Sequence, residues 1–211
     1  MTARVIVLAG PSGSGKSRLA ERLEQAYGWP TLRLDDFYRD ADEPDLPTIT
    51  AGANAGLVDW DHRATWRQED AVATLLTLCR EGRAEVPVYS LAESRRTGTQ
   101  VLDLGGATHF CAEGIFAPEV VADCLAQDVL AAAYCIAQHP AITFWRRLTR
   151  DLRERRKAPL VLVRRGLALA GDQRRVVRGA VSAGCRVATG HQAFQTLGVH
   201  ASPAEPGRDR P

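Results

Sequence analysis

Apolar and polar positions along the chain follow two alternating rhythms. Residues 4–9 (RVIVLA) are an almost unbroken apolar run, the pattern of a strand buried on both faces of a parallel sheet, and a Gly-rich turn follows at once. KSRLAERLEQAYG then places Leu19, Ala20 and Leu23 on one helical face, with Gly28 as the stop. TLRL (31–34) is predicted as the next strand. Residues 39–59 are rich in Pro, Gly and Asp without helical periodicity, a surface connection long enough to serve as a substrate loop. Thr65 and Gln68 fit a capping box for a helix over about 66–81, on which Trp66, Ala73, Leu76 and Cys79 share a face before Gly82 ends it. PVYSL, QVLDL, THFCAEG and LAAAYCIA read as short strands, with a helix beginning near Pro118.

Residues 143–157 (TFWRRLTRDLRERRK) predict a strongly basic amphipathic helix. A second basic helical stretch covers about 159–183, CRVAT (185–189) fits a last short strand, and the tail over 198–211 is expected to be disordered. The order predicts a three-layer α/β fold around a parallel central sheet, in one domain over 1–197.

Composition narrows the partners. With 211 residues, 45% hydrophobic, 25% charged and a net charge of +2, the chain fits one well-cored globular domain without a strong pull toward nucleic acid or membrane. Met1 leads directly into the first strand without a cationic, apolar leader, and no apolar run reaches about 18 residues, so a cytoplasmic protein is expected. Five cysteines, widely separated and never in C-x-x-C spacing, predict reduced, mostly buried thiols rather than disulfides or zinc.

The chemistry concentrates in GPSGSGKS (10–17), which matches G-x-x-x-x-G-K-[ST] after a buried strand and at the start of a helix, the context that pattern requires. Gly10, Gly13 and Gly15 let the backbone N–H groups turn inward around phosphate oxygens, and the helix N-terminus adds its positive partial charge. Ser12 and Ser14 complete the loop and Arg18 follows it. Lys16 is placed to reach the β and γ phosphates, and Ser17 to hold Mg²⁺. The chain has two lysines against twenty-five arginines, so a lysine here points to a need for a compact ammonium.

Asp35 and Asp36 end the second strand, where open α/β sheets gather ligands. A carboxylate there can accept the proton of a hydroxyl attacking the γ-phosphate or bind Mg²⁺ through water; a turn or helix cap is the structural alternative.

Six blocks, GPSGSGKS, LDDFY (34–38), DWDHR (59–63), VPVYSLAESRR (86–96), AEGIF (112–116) and RRLTRDLRERRK (146–157), occur in the order and near the spacing of the uridine kinase and phosphoribulokinase group of P-loop kinases, which the chain resembles over about residues 4–157. The resemblance implies a P-loop NTPase fold with a helical lid (about 143–160) and an inserted substrate loop. It implies ATP and Mg²⁺ as cofactors and a small-molecule nucleoside as substrate, and leaves a homo-oligomer open.

By position, Asp35 resembles the general base toward a nucleoside 5′-hydroxyl, with a share in the metal site. Tyr38 and Tyr89 resemble base-pocket rings, and Asp61 the carboxylate that takes the ribose hydroxyls, with Arg96 also on the substrate side. Glu113 resembles the acidic residue that organises Mg²⁺, and Arg147, Arg150 and Arg155 resemble lid arginines that close on the triphosphate.

The residues themselves support these roles unequally. One carboxylate can take two vicinal hydroxyls, which suits Asp61, although a plain loop aspartate fits the same position. Ring packing alone would account for Tyr38 and Tyr89, and a solvated cationic face for the arginines. Glu113 interrupts an apolar strand just before a glycine, which favours a ligand role. Ser94 stands where the group usually has a pyrimidine-contacting histidine, with Glu93 beside it, and AQHPAI (137–142) lacks the carboxylates usual before the lid. The expectation is ATP-dependent phosphorylation of a nucleoside, uridine or cytidine first, with pantothenate or a sugar phosphate as alternative acceptor and a non-catalytic nucleotide switch as the alternative class.

Overall fold

The computed structural model describes residues 2–52, 54–138 and 174–200. β1 (Arg4–Ala9) is the central strand of a five-stranded parallel sheet and leads through the Gly-rich loop into α1 (Lys16–Tyr27). β2 (Thr31–Arg33) is followed by a 3₁₀ turn, Leu34–Phe37, and a long connection to α2 (Gln68–Glu81). β3 (Arg83–Ser90) and β4 (Arg95–Asp103) pair antiparallel. β5 (His109–Glu113), α3 (Val121–Ala126), β6 (Leu130–Ile136), α4 (residues 174–182), β7 (Arg186–Ala188) and α5 (Gly190–His200) follow.

The sheet order is β2-β5-β1-β6-β7. The continuous apolar run of β1 is explained by its position: Val5, Val7 and Ala9 pack into one buried cluster with Ala71, Leu75, Leu78, Val121 and Ala180, while Ile6 and Leu8 pack into the opposite one with Leu19, Leu23, Ala193 and Leu197. Helices therefore cover both faces, and the α/β fold with a parallel central sheet stands as predicted. All five cysteines are buried and unpaired. Among the described residues, no helix is long and apolar enough to cross a membrane.

Several local expectations are corrected. Leu34 starts the 3₁₀ turn rather than ending β2, because its side chain is fully buried under Phe37 and Trp66 while the next two residues turn away. Thr65 and Gln68 form no capping box. The N-cap of α2 is Arg67 without a side-chain cap, and the Thr65 hydroxyl donates to the His62 carbonyl at 2.7 Å. The buried face of α2 is Ala71, Leu75, Leu78 and Cys79. Ala73 is exposed and Trp66 lies outside the helix, its indole N–H donating to the Leu34 carbonyl at 2.7 Å.

PVYSL and QVLDL fall in the β3–β4 hairpin, which forms its own two-stranded sheet. The helix near Pro118 begins as a 3₁₀ turn, Ala117–Val120, before α3. α5 runs to His200, so the first three residues of the expected tail are helical. The expected lid over 143–160, with Arg147, Arg150 and Arg155, lies outside the described residues, as does 201–211.

Candidate functional site

The loop between β1 and α1 is shaped by its glycines. Gly10, Gly13 and Gly15 have φ of 133°, 79° and 100°, and a Cβ at Gly10 would stand 2.3 Å from the Ile136 carbonyl oxygen at the end of β6. The loop thus lies against the carboxyl end of the sheet because position 10 has no side chain. Gly15 is the N-cap of α1, with no side-chain cap and no acidic residue in the first turn, so the helix presents an uncompensated positive end. The Lys16 ammonium, almost buried, donates to the carbonyls of Gly10 (2.9 Å) and Pro11 (3.4 Å). Ser14 Oγ is wholly buried in the loop without a hydrogen-bond partner. An orphan hydroxyl and a positive helix end in one loop are what a bound phosphate would satisfy.

The acidic side of the site is built by register. β5 lies directly beside β1, with Leu8 opposite Glu113. Glu113, 8% exposed, thereby meets Ser17, whose hydroxyl donates to Glu113 Oε1 at 3.2 Å. Burial pushes the Glu113 carboxyl up, Lys16 opposes that, and Asp35 adds to it. On the other side β2 pairs with β5, Arg33 opposite Glu113, so the turn that follows carries Asp35 to the same sheet edge. The backbone N–H of Ile115 donates to Asp35 Oδ1 at 3.0 Å, and a Cβ on Gly114 would come within 2.7 Å of that oxygen. The glycine of AEGIF is therefore what lets Asp35 approach.

Asp36 points elsewhere. It is buried, its carboxylate takes a hydrogen bond from the Tyr89 backbone, and the Arg33 guanidinium lies 3.7 Å away; burial raises its carboxyl against the pull of Arg33. It ties the 3₁₀ turn to β3.

Ser17, Glu113 and Asp35 are hard oxygen donors gathered beside the phosphate loop. Among the described residues no cluster of three or more His, Cys, Asp or Glu side chains forms a closed metal cage. The hydroxyl of Ser17 and the carboxylates of Glu113 and Asp35 are the kind of oxygen donors that suit Mg²⁺, which keeps several waters and takes one or two carboxylates together with substrate phosphates.

The proposed substrate side is aromatic. Tyr38 makes ring contacts with Trp60 (5.7 Å), Tyr89 (5.8 Å) and Phe116 (5.7 Å), and Phe116 stacks on Trp66 (5.5 Å). Both phenols are committed to backbone carbonyls, Tyr38 to Trp60 at 3.2 Å and Tyr89 to Arg39 at 3.0 Å. Burial raises both, Tyr38 strongly and Tyr89 to about 12, with Asp35 and Asp61 adding to the rise at Tyr38. Asp35 and Asp61 thus both act electrostatically on the same phenol. Asp61 is exposed, and its own N–H turns back to Asp59 Oδ1 at 3.3 Å.

Arg96 sits opposite Tyr89 on β4, exposed, with its backbone N–H on Asp40 Oδ1 at 2.7 Å. Arg18 is exposed on α1, beyond the loop. Ser94, in the usual histidine position, stands in the hairpin turn at φ 51° and gives its carbonyl to the Ala41 N–H at 2.9 Å.

Trp60, Phe116, Gly114 and the Ile115 N–H were missed in the sequence reading. Trp60 carried a signal, a large ring between two aspartates in a polar loop. The Ile115 contact carried none, since it joins positions 80 residues apart.

A family model described as an AAA domain matches residues 5–89. Uridine kinase of Schizosaccharomyces pombe is 28% identical over 159 residues, covering 72% of this chain and 32% of the relative. Uridine kinase of Saccharomyces cerevisiae is 27% identical over 154 residues, covering 72% of this chain and 29% of the relative. The chain thus spans about a third of the length of these curated relatives. A solved structure from Silicibacter sp. TM1040, provisionally named a fructose transport system kinase, superposes with a TM-score of 0.61 at 17% identity over 89% of this chain and 88% of that one, a likeness of fold. The chain is thus similar to an AAA domain over residues 5–89 and to two uridine kinases over 72% of its length, in an α/β fold with a parallel central sheet.

Proposed function

We propose that the chain is an ATP-dependent kinase acting on the 5′-hydroxyl of a nucleoside, uridine or cytidine first. One observation carries this reading: Asp35 is held by the Ile115 N–H, with Glu113 and the Tyr38 phenol both within its electrostatic reach and Glu113 bonded to Ser17 of the phosphate loop.

The loop backbone and the positive end of α1 would hold the triphosphate, and the Lys16 ammonium would exchange its two carbonyl partners for phosphate oxygens. Ser17 and Glu113 would hold Mg²⁺, with Asp35 close by, and the ion would supply charge neutralisation at the transferring phosphate. Asp35 accepts the proton of the attacking hydroxyl at the oxygen not committed to Ile115. Tyr38, Trp60, Tyr89 and Phe116 offer ring faces and edges to a base, since the two phenols are already satisfied. Asp61 is the candidate for the ribose hydroxyls, with Arg96 beside the hairpin, and Arg147, Arg150 and Arg155 are the candidates to close over the phosphates.

The experiment incubates the protein with Mg·ATP and a panel of nucleosides, pantothenate and sugar phosphates and follows ADP release. Release dependent on uridine or cytidine is expected. Release only with pantothenate or a sugar phosphate would reassign the acceptor, and none with any acceptor would favour a nucleotide-binding switch.

A further inference from the structure

The turn that carries Asp35 is only four residues long, and Arg33 at its N-cap offers no side-chain cap, so its orientation has to be fixed from elsewhere in the chain. Trp66 does this from one side. Its indole N–H donates to the Leu34 carbonyl at 2.7 Å. That carbonyl lies in the planar peptide unit joining Leu34 to Asp35, so holding its oxygen sets the direction in which the backbone enters Asp35. The other hold on Asp35 is the Ile115 N–H, 3.0 Å from Oδ1. Phe116, the next residue, stacks on the Trp66 ring at 5.5 Å and 27°. One buried indole therefore braces both the peptide before Asp35 and the strand end that binds its carboxylate.

We propose that Trp66 is a positioning residue for phosphoryl transfer, setting the place of Asp35 relative to the loop that carries Asp61. The inference rests on the reading of Asp35 as the base. Trp66 itself is 4% exposed, so it acts through its neighbours rather than on a substrate.

The backbone around Trp66 makes the connection to that loop. Tyr38 and Trp66 form an isolated antiparallel bridge, closed by the Arg39 N–H on the Thr65 carbonyl at 2.8 Å and the Arg67 N–H on the Phe37 carbonyl at 2.9 Å. The chain leaving the Asp35 turn is thereby tied to both neighbours of Trp66. On the other side the Trp66 N–H donates to the Arg63 carbonyl at 3.0 Å, and the Thr65 hydroxyl to the His62 carbonyl at 2.7 Å. These bonds close the short turn that follows Asp61. A stiff spacer between the proton acceptor and the loop that would seat the acceptor's hydroxyls is what transfer demands, because a misplacement of about 1 Å can cost about 10²-fold in rate. A phenylalanine could fill the same core position, but only the indole can also donate to Leu34.

Trp66→Phe tests this, since it keeps a ring against Phe116 and the backbone bridge while removing the donor. With Mg·ATP and the acceptor that supports ADP release, kcat should fall about 10- to 100-fold while KM for ATP stays within about twofold, because the phosphate loop is untouched. In an Asp35→Asn background the same substitution should cost no further turnover, since its effect runs through a base already removed. A purely structural role would cost the same in both backgrounds. Amide hydrogen exchange reads the brace without turnover: the Ile115 N–H should exchange at least about tenfold faster in Trp66→Phe, with the amides of β1 unchanged. If no acceptor supports turnover, that exchange rate decides alone. Should Trp66→Phe fold poorly, 3-benzothienylalanine at position 66, which keeps the bicyclic ring and puts sulfur in place of the N–H, carries the same expectations. An unchanged kcat overturns the proposal, as does a loss equal in both backgrounds or Ile115 exchange as slow as in the parent. Full turnover by Asp35→Asn would instead overturn the reading of Asp35 as the base, so the two failures are told apart in one set of variants.

Discussion

Two adjacent carboxylates in one 3₁₀ turn have opposite surroundings, and their substitution should separate them. Asp35→Asn should keep the Ile115 hydrogen bond through its amide oxygen and lose the basic oxygen, so turnover should fall about 10²- to 10⁴-fold while ATP binding by calorimetry is retained. Asp36→Asn can still accept from the Tyr89 N–H, and should cost less turnover than Asp35→Asn does. The reverse order would move the base by one residue. Glu113 makes a separate claim about pH. Its folded pKa lies above the unfolded value of about 4.3, so the folded state holds that proton more tightly. The stabilising contribution is complete below the unfolded value and is lost as pH rises through the folded one. At pH 7 the ionised, buried carboxylate therefore costs stability in the unliganded protein. Glu113→Gln should melt higher than the parent at pH 7, with the gap narrowing as pH falls through the raised pKa; thermal melts across pH 4–8 check it. A lower melting temperature for Glu113→Gln at pH 7 would mean that Lys16 and Ser17 outweigh burial.

At the level of elements, the phase of α2 decides which substitutions matter. Leu75 is fully buried against β1 and the residues around it, so Leu75→Ala should cost about 2–5 kcal/mol in denaturant unfolding. Ala73→Ser, on the exposed side of the same helix, should leave the midpoint within about 0.5 kcal/mol. The phase was not legible in the sequence because Trp66 looks like the first apolar position of the helix. In fact it belongs to the preceding segment, anchored on Leu34, and starting the helix at Gln68 rotates the buried stripe. β1 and the loop after it were legible, because a both-faces-apolar run followed by glycines has few other uses. β3 and β4 were legible as strands but not as a hairpin. A half-buried alternation reads alike in either setting, and Pro87 was the sign that β3 could not be a central strand. The triad of Asp35, Glu113 and Ser17 was legible by resemblance; what holds Asp35 there, a backbone N–H from another strand end, was not.

At the scale of the molecule, the phosphate loop and both carboxylates stand at one end of a sheet whose two faces are already filled, so a ligand at that end adds stability without rearranging the core. Binding only to the folded state stabilises by mass action, about 2.7 kcal/mol at a hundred times Kd. Mg·ATP should therefore raise the melting temperature in a concentration-dependent way, with or without an acceptor. Lys16→Met separates this from nonspecific effects. It removes the ammonium that bonds the Gly10 and Pro11 carbonyls while keeping an unbranched chain in the nearly buried site, so the apo fold should persist. Its ATP-dependent shift should nevertheless shrink to near zero, as read by calorimetric or fluorescence melts with and without Mg·ATP. A full shift in Lys16→Met would place the triphosphate away from this loop. The orphan Ser14 hydroxyl and the uncapped end of α1 would then need another anion to explain them.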